Sequence, residues 1–238
     1  TYRVTKSWER WKEEDYIRIL AAEDDTHVTL NPAVNMVETL SAGGHVTFQT
    51  STNLEITSDK PILVAQFLTS SHEILGDPFK DPCFNDSDCP QTYTCDWFAS
   101  VCVGPTCSND SNCPSGHTCE IYPGRGGYCE AIGDPAMILA VSEEQFMESY
   151  VFLTPDAYME DYLNIIAPST AQAVVLDGQQ LDPSQFAQIG ASGYAVYRTP
   201  VADGVHSIWS DKKIGIVVYG YDNDVSYGYP GGMGLVEL

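Results

Sequence analysis

Residues 14–30 read EDYIRILAAEDDTHVTL, and residues 160–176 read EDYLNIIAPSTAQAVVL. Without a gap, Glu14, Asp15 and Tyr16 align with Glu160, Asp161 and Tyr162. Ile19 and Leu20 align with Ile165 and Ile166, Ala21 with Ala167, and Val28 and Leu30 with Val174 and Leu176. Two further blocks follow in the same order. LSAGGHVTF (40–48) resembles IGASGYAVY (189–197), and ITSDKPILVAQF (56–67) resembles IWSDKKIGIVVYGY (208–221). The offsets are 146, 149 and 152 residues. Three collinear blocks argue for an internal duplication.

Each block reads as β. Val28–Leu30 and Val174–Leu176 are short β-branched runs, and Asp177-Gly178 before Leu181 is a hairpin signal. Ser58-Asp59-Lys60 and Ser210-Asp211-Lys212 each divide two apolar runs, which predicts a tight hairpin connection in both copies. Small-residue turns with Gly44 and Gly193 precede Val46–Phe48 and Tyr194–Tyr197. Helical periodicity is scarce, with one helical turn or a short connecting helix expected from Glu143 to Ser149. The expected fold is all-β: two tandem β-sandwich-like repeats with a disulfide-rich insertion in a loop of the first. Residues 1–75 with 134–146 form the first repeat, 76–133 the insert and 147–238 the second repeat. PAMILAV (135–141) returns to complete repeat one, with PGGMGLV (230–236) as its counterpart, and DNDVSYGY (222–229) is read as a loop.

All eight cysteines lie in the insert. The stretch from Cys83 reads CFNDSDCPQTYTC and that from Cys107 reads CSNDSNCPSGHTC. Cys83, Cys89, Cys95 and Cys102 are separated by five, five and six residues, and Cys107, Cys113, Cys119 and Cys129 by five, five and nine. Structural zinc usually needs a tight pair two to four residues apart, so disulfides are the reading. Each four-cysteine module allows three connectivities. Disulfides place the chain extracellularly or at a cell surface, after passage through an oxidising compartment. The insert has few large aliphatic residues, so bridges must hold it.

The chain has 238 residues, 43% of them hydrophobic, enough for a buried core. A formal charge of −22 argues against nucleic acid and anionic lipid as partners. No apolar run is long enough to span a membrane. No signal peptide follows Thr1, so a processed or excised chain is expected.

The second repeat carries a family resemblance. GDPAMILAVSEEQF (133–146), YVFLTPDAYMEDYLNIIAP (150–168), VVLDGQQL (174–181), GVHSIWSDKKIGIVVYGYD (204–222) and SYGYPGG (226–232) resemble the IgG Fc-binding protein N-terminal domain family. Gly204 to Gly232 is the most specific part. The chain starts inside the usual family pattern, which implies an upstream portion. The C-x5-C-x5-C insert is similar to cysteine-rich repeats of myxobacterial surface proteins, which suggests a bacterial secreted or surface version. The resemblance implies an extracellular binding or adhesion module without catalysis. It does not imply antibody as the partner.

Catalysis finds little support in the residues. His27, His45, His72, His117 and His206 form no H-E-x-x-H motif, and GASG (190–193) is not a nucleophile elbow. His206, in an expected strand, reads as a satisfied structural histidine. Calcium is the one cofactor the pattern suits, with Asp86, Asp88, Asp110, Asp222 and Asp224 as candidate ligands in oxygen-rich turns. The plainer reading of those residues is turns and caps. Both Asn-Asp-Ser triplets are also glycosylation sequons. Trp97, Phe98, Tyr122, Tyr227 and Tyr229 are the candidate partner-binding aromatics. The rival role is packing over the sandwich end and the disulfides, shared with Tyr219, Tyr221, Tyr93 and Tyr128. Trp8 and Trp11 read as core or edge cover. The functional expectation is an adhesion module contacting a cell-surface or secreted protein or glycan. The alternatives are a structural spacer and, more remotely, a carbohydrate-active enzyme.

Overall fold

The structure is a computed structural model and describes residues 1–10, 13–34, 39–71, 83–89, 93–96, 98, 101–113, 116–123 and 126–234. Trp11, His72, Trp97 and the 76–78 border of the insert lie outside the described residues. Helix is scarce, with short 3-10 turns at Asp86–Asp88, Asp110–Asn112, Glu143–Gln145 and Pro183–Gln185. The chain is all-β.

Among the described residues, six strands precede the insert: β1 (Tyr2–Val4), β2 (Asp15–Ala21), β3 (Val28–Asn31), β4 (His45–Thr50), β5 (Leu54–Ser58) and β6 (Ile62–Phe67). The insert contributes β7 (Thr94–Asp96), β8 (Val101–Val103), β9 (Thr106–Cys107), β10 (His117–Tyr122) and β11 (Gly126–Ala131). Then follow β12 (Met137–Leu139), β13 (Met147–Thr154), β14 (Glu160–Pro168), β15 (Val174–Leu176), β16 (Gln179–Gln180), β17 (Ala187–Gln188), β18 (Tyr194–Val201), β19 (Gly204–Asp222) and β20 (Val225–Pro230).

Two sets of pairings have matching order. The early strands pair as β12-β6-β2-β4 and β1-β5-β3. The later strands pair as β20-β19-β14-β18 and β13-β19-β15, with β19 long enough to serve both groups in a curled half-barrel sheet. Individual bonds recur as well. The Tyr2 hydroxyl donates to the Ile62 carbonyl at 2.7 Å and that of Tyr150 to Ile214 at 2.6 Å. Asp59 accepts the His27 N–H, and Asp211 the Ala173 N–H. Ala140 N–H bonds to Val64, and Gly231 N–H to Ile216. One apolar core gathers Ile17, Ile19, Leu54, Ile56 and Val64, and another Leu163, Ile165, Ile208, Ile214 and Val218.

Burial differs between the sets. β2 alternates, with Asp15, Ile17, Ile19 and Ala21 inward and Arg18 and Leu20 exposed. β14 is buried on both faces from Asp161 to Ala167. Tyr162, Asn164 and Ile166, on its second face, meet the N-terminal strands or the turns beside them, as Trp8 stacked 4.9 Å from Tyr162 illustrates.

Three expectations change. Ser-Asp-Lys is no hairpin: β5 and β6 lie in different sheets, and β19 is continuous across Ser210–Lys212 as it passes from one group of strands to the other. The aspartate caps a neighbouring strand's backbone while the chain turns a corner between sheets, a task the same residues suit. Residues 222–229 are no loop but a hairpin, with β20 joined to β19 by the two-residue turn Asn223-Asp224. Asp224 takes φ +54, a conformation aspartate tolerates. The counterpart of β12 is therefore β20 itself: Ile138 pairs with Gln66 as Tyr229 pairs with Val218. The aligned prolines misled the register.

Between the two sets runs the segment Thr5–Arg10. Asp15 and Lys6 form an ion pair at 3.2 Å with both side chains about 1% exposed. The Asp15 carboxylate also accepts the Ser7 N–H and hydroxyl, each at 2.7 Å, and the Gln66 amide at 2.7 Å. On the other side, Asn164 donates to Thr5 Oγ1 and the Lys6 carbonyl, Arg198 donates to the Lys6 carbonyl, and Trp8 N–H donates to the Tyr219 hydroxyl. Removing one member of a buried ion pair strands the other. Asp15→Ala is expected to cost about 3–5 kcal/mol in urea unfolding, while Lys6→Met with Asp15→Asn costs less than the sum of the single changes.

Candidate partner-binding surface

The insert is built from two copies of one small device. Disulfides join Cys83–Cys95 and Cys89–Cys102, then Cys107–Cys119 and Cys113–Cys129, first to third and second to fourth in each module. No cysteine is free. Each Asn-Asp-Ser triplet makes a 3-10 turn whose asparagine side chain accepts the N–H of the following serine. Asp86 Oδ1 then accepts the Cys95 N–H at 2.9 Å, and Asp110 Oδ1 the Cys119 N–H at 2.8 Å. The turn is thus pinned to the strand carrying the third cysteine, which sets the first-to-third bridge. Asp88 accepts two further N–H groups, from Phe84 and Asn85. The Cys119 N–H, then the Thr118 hydroxyl, hold the Asp110 carboxyl below its ordinary value.

These carboxylates thus cap backbone N–H groups. Asp222 accepts the N–H of Asn223, and Asp224 forms the turn. Among the described residues, the groupings of three or more potential metal ligands are cysteines already in disulfides.

The insert is fastened to the body. Tyr93, 3% exposed, donates from its hydroxyl to the Cys129 carbonyl and joins the first module to the second. The second module docks on the later strands: Gly116 N–H donates to Glu160 at 2.6 Å, and the Asn223 amide to Glu120 at 2.7 Å. Arg10 holds the base of the insert, donating to the Thr69 carbonyl before it and the Ile132 carbonyl at its end. Its guanidinium lies 4.1 Å over the Tyr221 ring. Gly133, at φ +104, passes so close that a Cβ would meet Arg10 at 2.6 Å and Tyr221 at 2.7 Å.

Phe84 and Phe98 stand 78% and 83% exposed on the first module, and Ile121 is exposed on the second. Phe98 was a sequence candidate. Phe84 and Ile121 were not, although an aromatic between Cys83 and a tight polar turn has few routes to a core. Tyr122 lies in β10. Tyr227 and Tyr229 are half-buried, their hydroxyls donating to Asp161 and to the Leu153 carbonyl. Tyr219 and Tyr221 are fully buried. Both lie on one face of β19, which the 5–10 segment covers through the Trp8 N–H on the Tyr219 hydroxyl and the Arg10 guanidinium over the Tyr221 ring, with Leu68, Ile132 and Ile138 packed beside them.

His206 is engaged at both ring nitrogens, by Asp177 and by the Ala202 carbonyl, each at 2.7 Å. Asp161 is 4% exposed, and its Oδ2 finds no hydrogen-bond partner among the described residues. Burial, with Asp203 adding and the Tyr227 hydrogen bond opposing, pushes its carboxyl from 3.8 up to about 6. A cavity between β15 and β17, floored by Val174, Leu181 and Phe186, encloses about 80 Å³, too little for a drug-sized ligand.

A carboxyl whose folded value is raised costs stability as pH rises from its ordinary value through the raised one. For Asp161 that window is 3.8 to about 6. Burial lowers His206, but the Asp177 and Ala202 hydrogen bonds outweigh it and raise it above 6.5. Its stabilising contribution is also lost as pH rises. The thermal midpoint is expected to be higher near about pH 5 than near about pH 7.5. Asp161→Asn, which keeps an acceptor for Tyr227, narrows that difference. An unchanged difference would place the pH dependence elsewhere.

A search of curated proteins found no match. Among solved structures, an anti-sigma factor domain-containing protein from Clostridium clariflavum aligns over 97% of this chain and 81% of its own, at 9% identity and a TM-score of 0.23. That score carries no argument about the fold. The family described as IgGFc binding protein matches residues 1–84 and 115–220. This is a family of non-catalytic binding modules, and four disulfides fit the oxidising, extracytoplasmic setting it implies. The match takes in β1–β6 and the chain from β10 to nearly the end of β19, leaves out β20 and passes over 85–114 in the insert, and on it the chain belongs to the IgGFc binding protein family.

Proposed function

We propose that this is a bacterial-type surface adhesion module, and that its disulfide-braced insert contacts a cell-surface or secreted protein or glycan. One observation carries the reading: the insert is held at its base by Arg10 while Phe84 and Phe98 project unburied. Exposed aromatics on a rigid support bind with little entropy left to lose. The C-x5-C-x5-C spacing supports the surface-repeat assignment. In this reading the scaffold is two copies of one seven-stranded unit, 1–75 with 134–146 and 147–238, and 76–133 is the insertion. The matched strand orders and the recurrent Tyr2 and Tyr150 bonds support that division.

Bracing is the second reading. The insert leaves the early strands and bonds to Glu160 and Asn223 on the later ones, so it also ties the two sets together.

The test compares the intact chain with one whose residues 77–133 are replaced by a short Gly-Ser link, on arrays of glycans and cell-surface proteins. Adhesion through the insert predicts loss of signal. Phe84→Ala with Phe98→Ala should weaken binding by tenfold or more, on the order of 2 kcal/mol, with the melting temperature unchanged. Binding that survives both changes while the deletion lowers the melting temperature would leave bracing as the insert's role.

A further inference from the structure

The face that receives residues 5–10 has a counterpart in the early strands. In the later set, Tyr162 of β14 stands directly opposite Tyr219 of β19, and Asn164 opposite Arg198 of β18. In the early set, Tyr16 of β2 stands directly opposite Phe67 of β6, and Arg18 opposite Thr47 of β4. The Glu-Asp-Tyr triplets fix the correspondence. Tyr16, Phe67, Arg18 and Thr47 therefore hold the places of Tyr162, Tyr219, Asn164 and Arg198.

What such a face takes is visible in the later set. The Tyr162 and Tyr219 rings stack 5.7 Å apart, and the Trp8 ring stacks on Tyr162. Asn164 and Arg198 both donate to the Lys6 carbonyl. The occupant is a short piece of chain outside any strand, anchored by one aromatic ring and a neighbouring acceptor oxygen.

In the early set the same four places line an open groove of about 230 Å³, bordered by Ser70 and Pro135. Arg18 and Thr47 are exposed there, and Tyr16 and Phe67 are half-buried. Two differences set what the groove accepts. Phe67 lacks the hydroxyl by which Tyr219 takes the Trp8 N–H. The basic group has also moved from the β18 position to the central strand. The Arg18 guanidinium lies 5.4 Å over the Phe67 ring, and its Nε donates to Thr47 Oγ1 at 2.8 Å. These contacts hold it in place, while its Nη groups make no hydrogen bond or ion pair among the described residues. The other described arginines are spent on protein groups: Arg3 and Arg10 on glutamates, Arg198 on the Lys6 carbonyl and Asn53. A positioned guanidinium with open donors suits a carboxylate in both geometry and charge.

We propose that the outer face of β2, β4 and β6 docks a short linear segment of a partner protein, which lays an aromatic ring on Tyr16 and gives a neighbouring carboxylate to Arg18. The proposal rests on the two-copy reading of the scaffold and is independent of any contact the insert makes. The net charge of −22 works against a wholly acidic partner. The match is therefore to one carboxylate beside a ring, not to an acidic run.

The probe is a fluorescein-labelled peptide TKSWER, which copies residues 5–10 and carries both features in Trp8 and Glu9. Its anisotropy is expected to show saturable binding to the intact chain. Trp8→Ala and Glu9→Gln versions of the peptide should each bind about tenfold more weakly. Arg18→Gln in the protein should weaken the unaltered peptide by a similar factor and leave the Glu9→Gln peptide unaffected, with the melting temperature unchanged. Absence of saturable binding overturns the proposal, as does binding that Arg18→Gln leaves intact. So does a chain that ignores the peptide and binds an acidic glycan through Arg18, which would make this face a glycan site. The two-copy reading is judged separately: Tyr2→Phe and Tyr150→Phe should lower the melting temperature by similar amounts, whatever the peptide result.

Discussion

A carboxylate with no water around it must be given partners, and Asp15 dictates much of this structure by that demand. Its oxygens take the Lys6 ammonium, the Ser7 N–H and hydroxyl, and the Gln66 amide. Meeting that demand fixes the path of residues 5–10. The fixed path presents the Thr5 hydroxyl and Lys6 carbonyl to Asn164, and the Trp8 N–H to Tyr219. It then delivers Arg10 to the base of the insert. The net worth of a buried ion pair is small, because desolvation offsets most of the attraction. Its effect here is to specify: a chain that placed the segment elsewhere would bury charges unpaired.

The corresponding aspartate shows what happens without that segment. Asp161 stands in the same Glu-Asp-Tyr triplet, but the positions matching Lys6 and Ser7 are Thr154 and Pro155. Proline offers no N–H and threonine no charge, and Thr154 instead donates to the Ala202 and Gly204 carbonyls. Asp161 keeps one strong partner, the Tyr227 hydroxyl, and a bare second oxygen, and its carboxyl rises to about 6. Two identical sequence motifs thus end with different sets of partners, decided by residues at the end of a neighbouring strand.

That contrast explains how much of the molecule was legible in its sequence. The strands at Val28–Leu30, Val46–Phe48 and Val174–Leu176 and the Asp177-Gly178 turn follow from local pattern, and those readings agree with the structure. Disulfide pairing did not follow, because spacing alone leaves three connectivities, and the Asp86 and Asp110 hydrogen bonds that separate them are tertiary. Ser-Asp-Lys was read as a hairpin because a polar triplet between apolar runs looks the same whether the chain reverses or changes sheet. Tyr219 and Tyr221 were grouped with Tyr227 and Tyr229 by composition. Only the second buried face of β14 shows that the first pair is core. Of the candidate surface, Phe98 was visible in sequence, whereas Arg10, which fixes that surface in place, carries no motif.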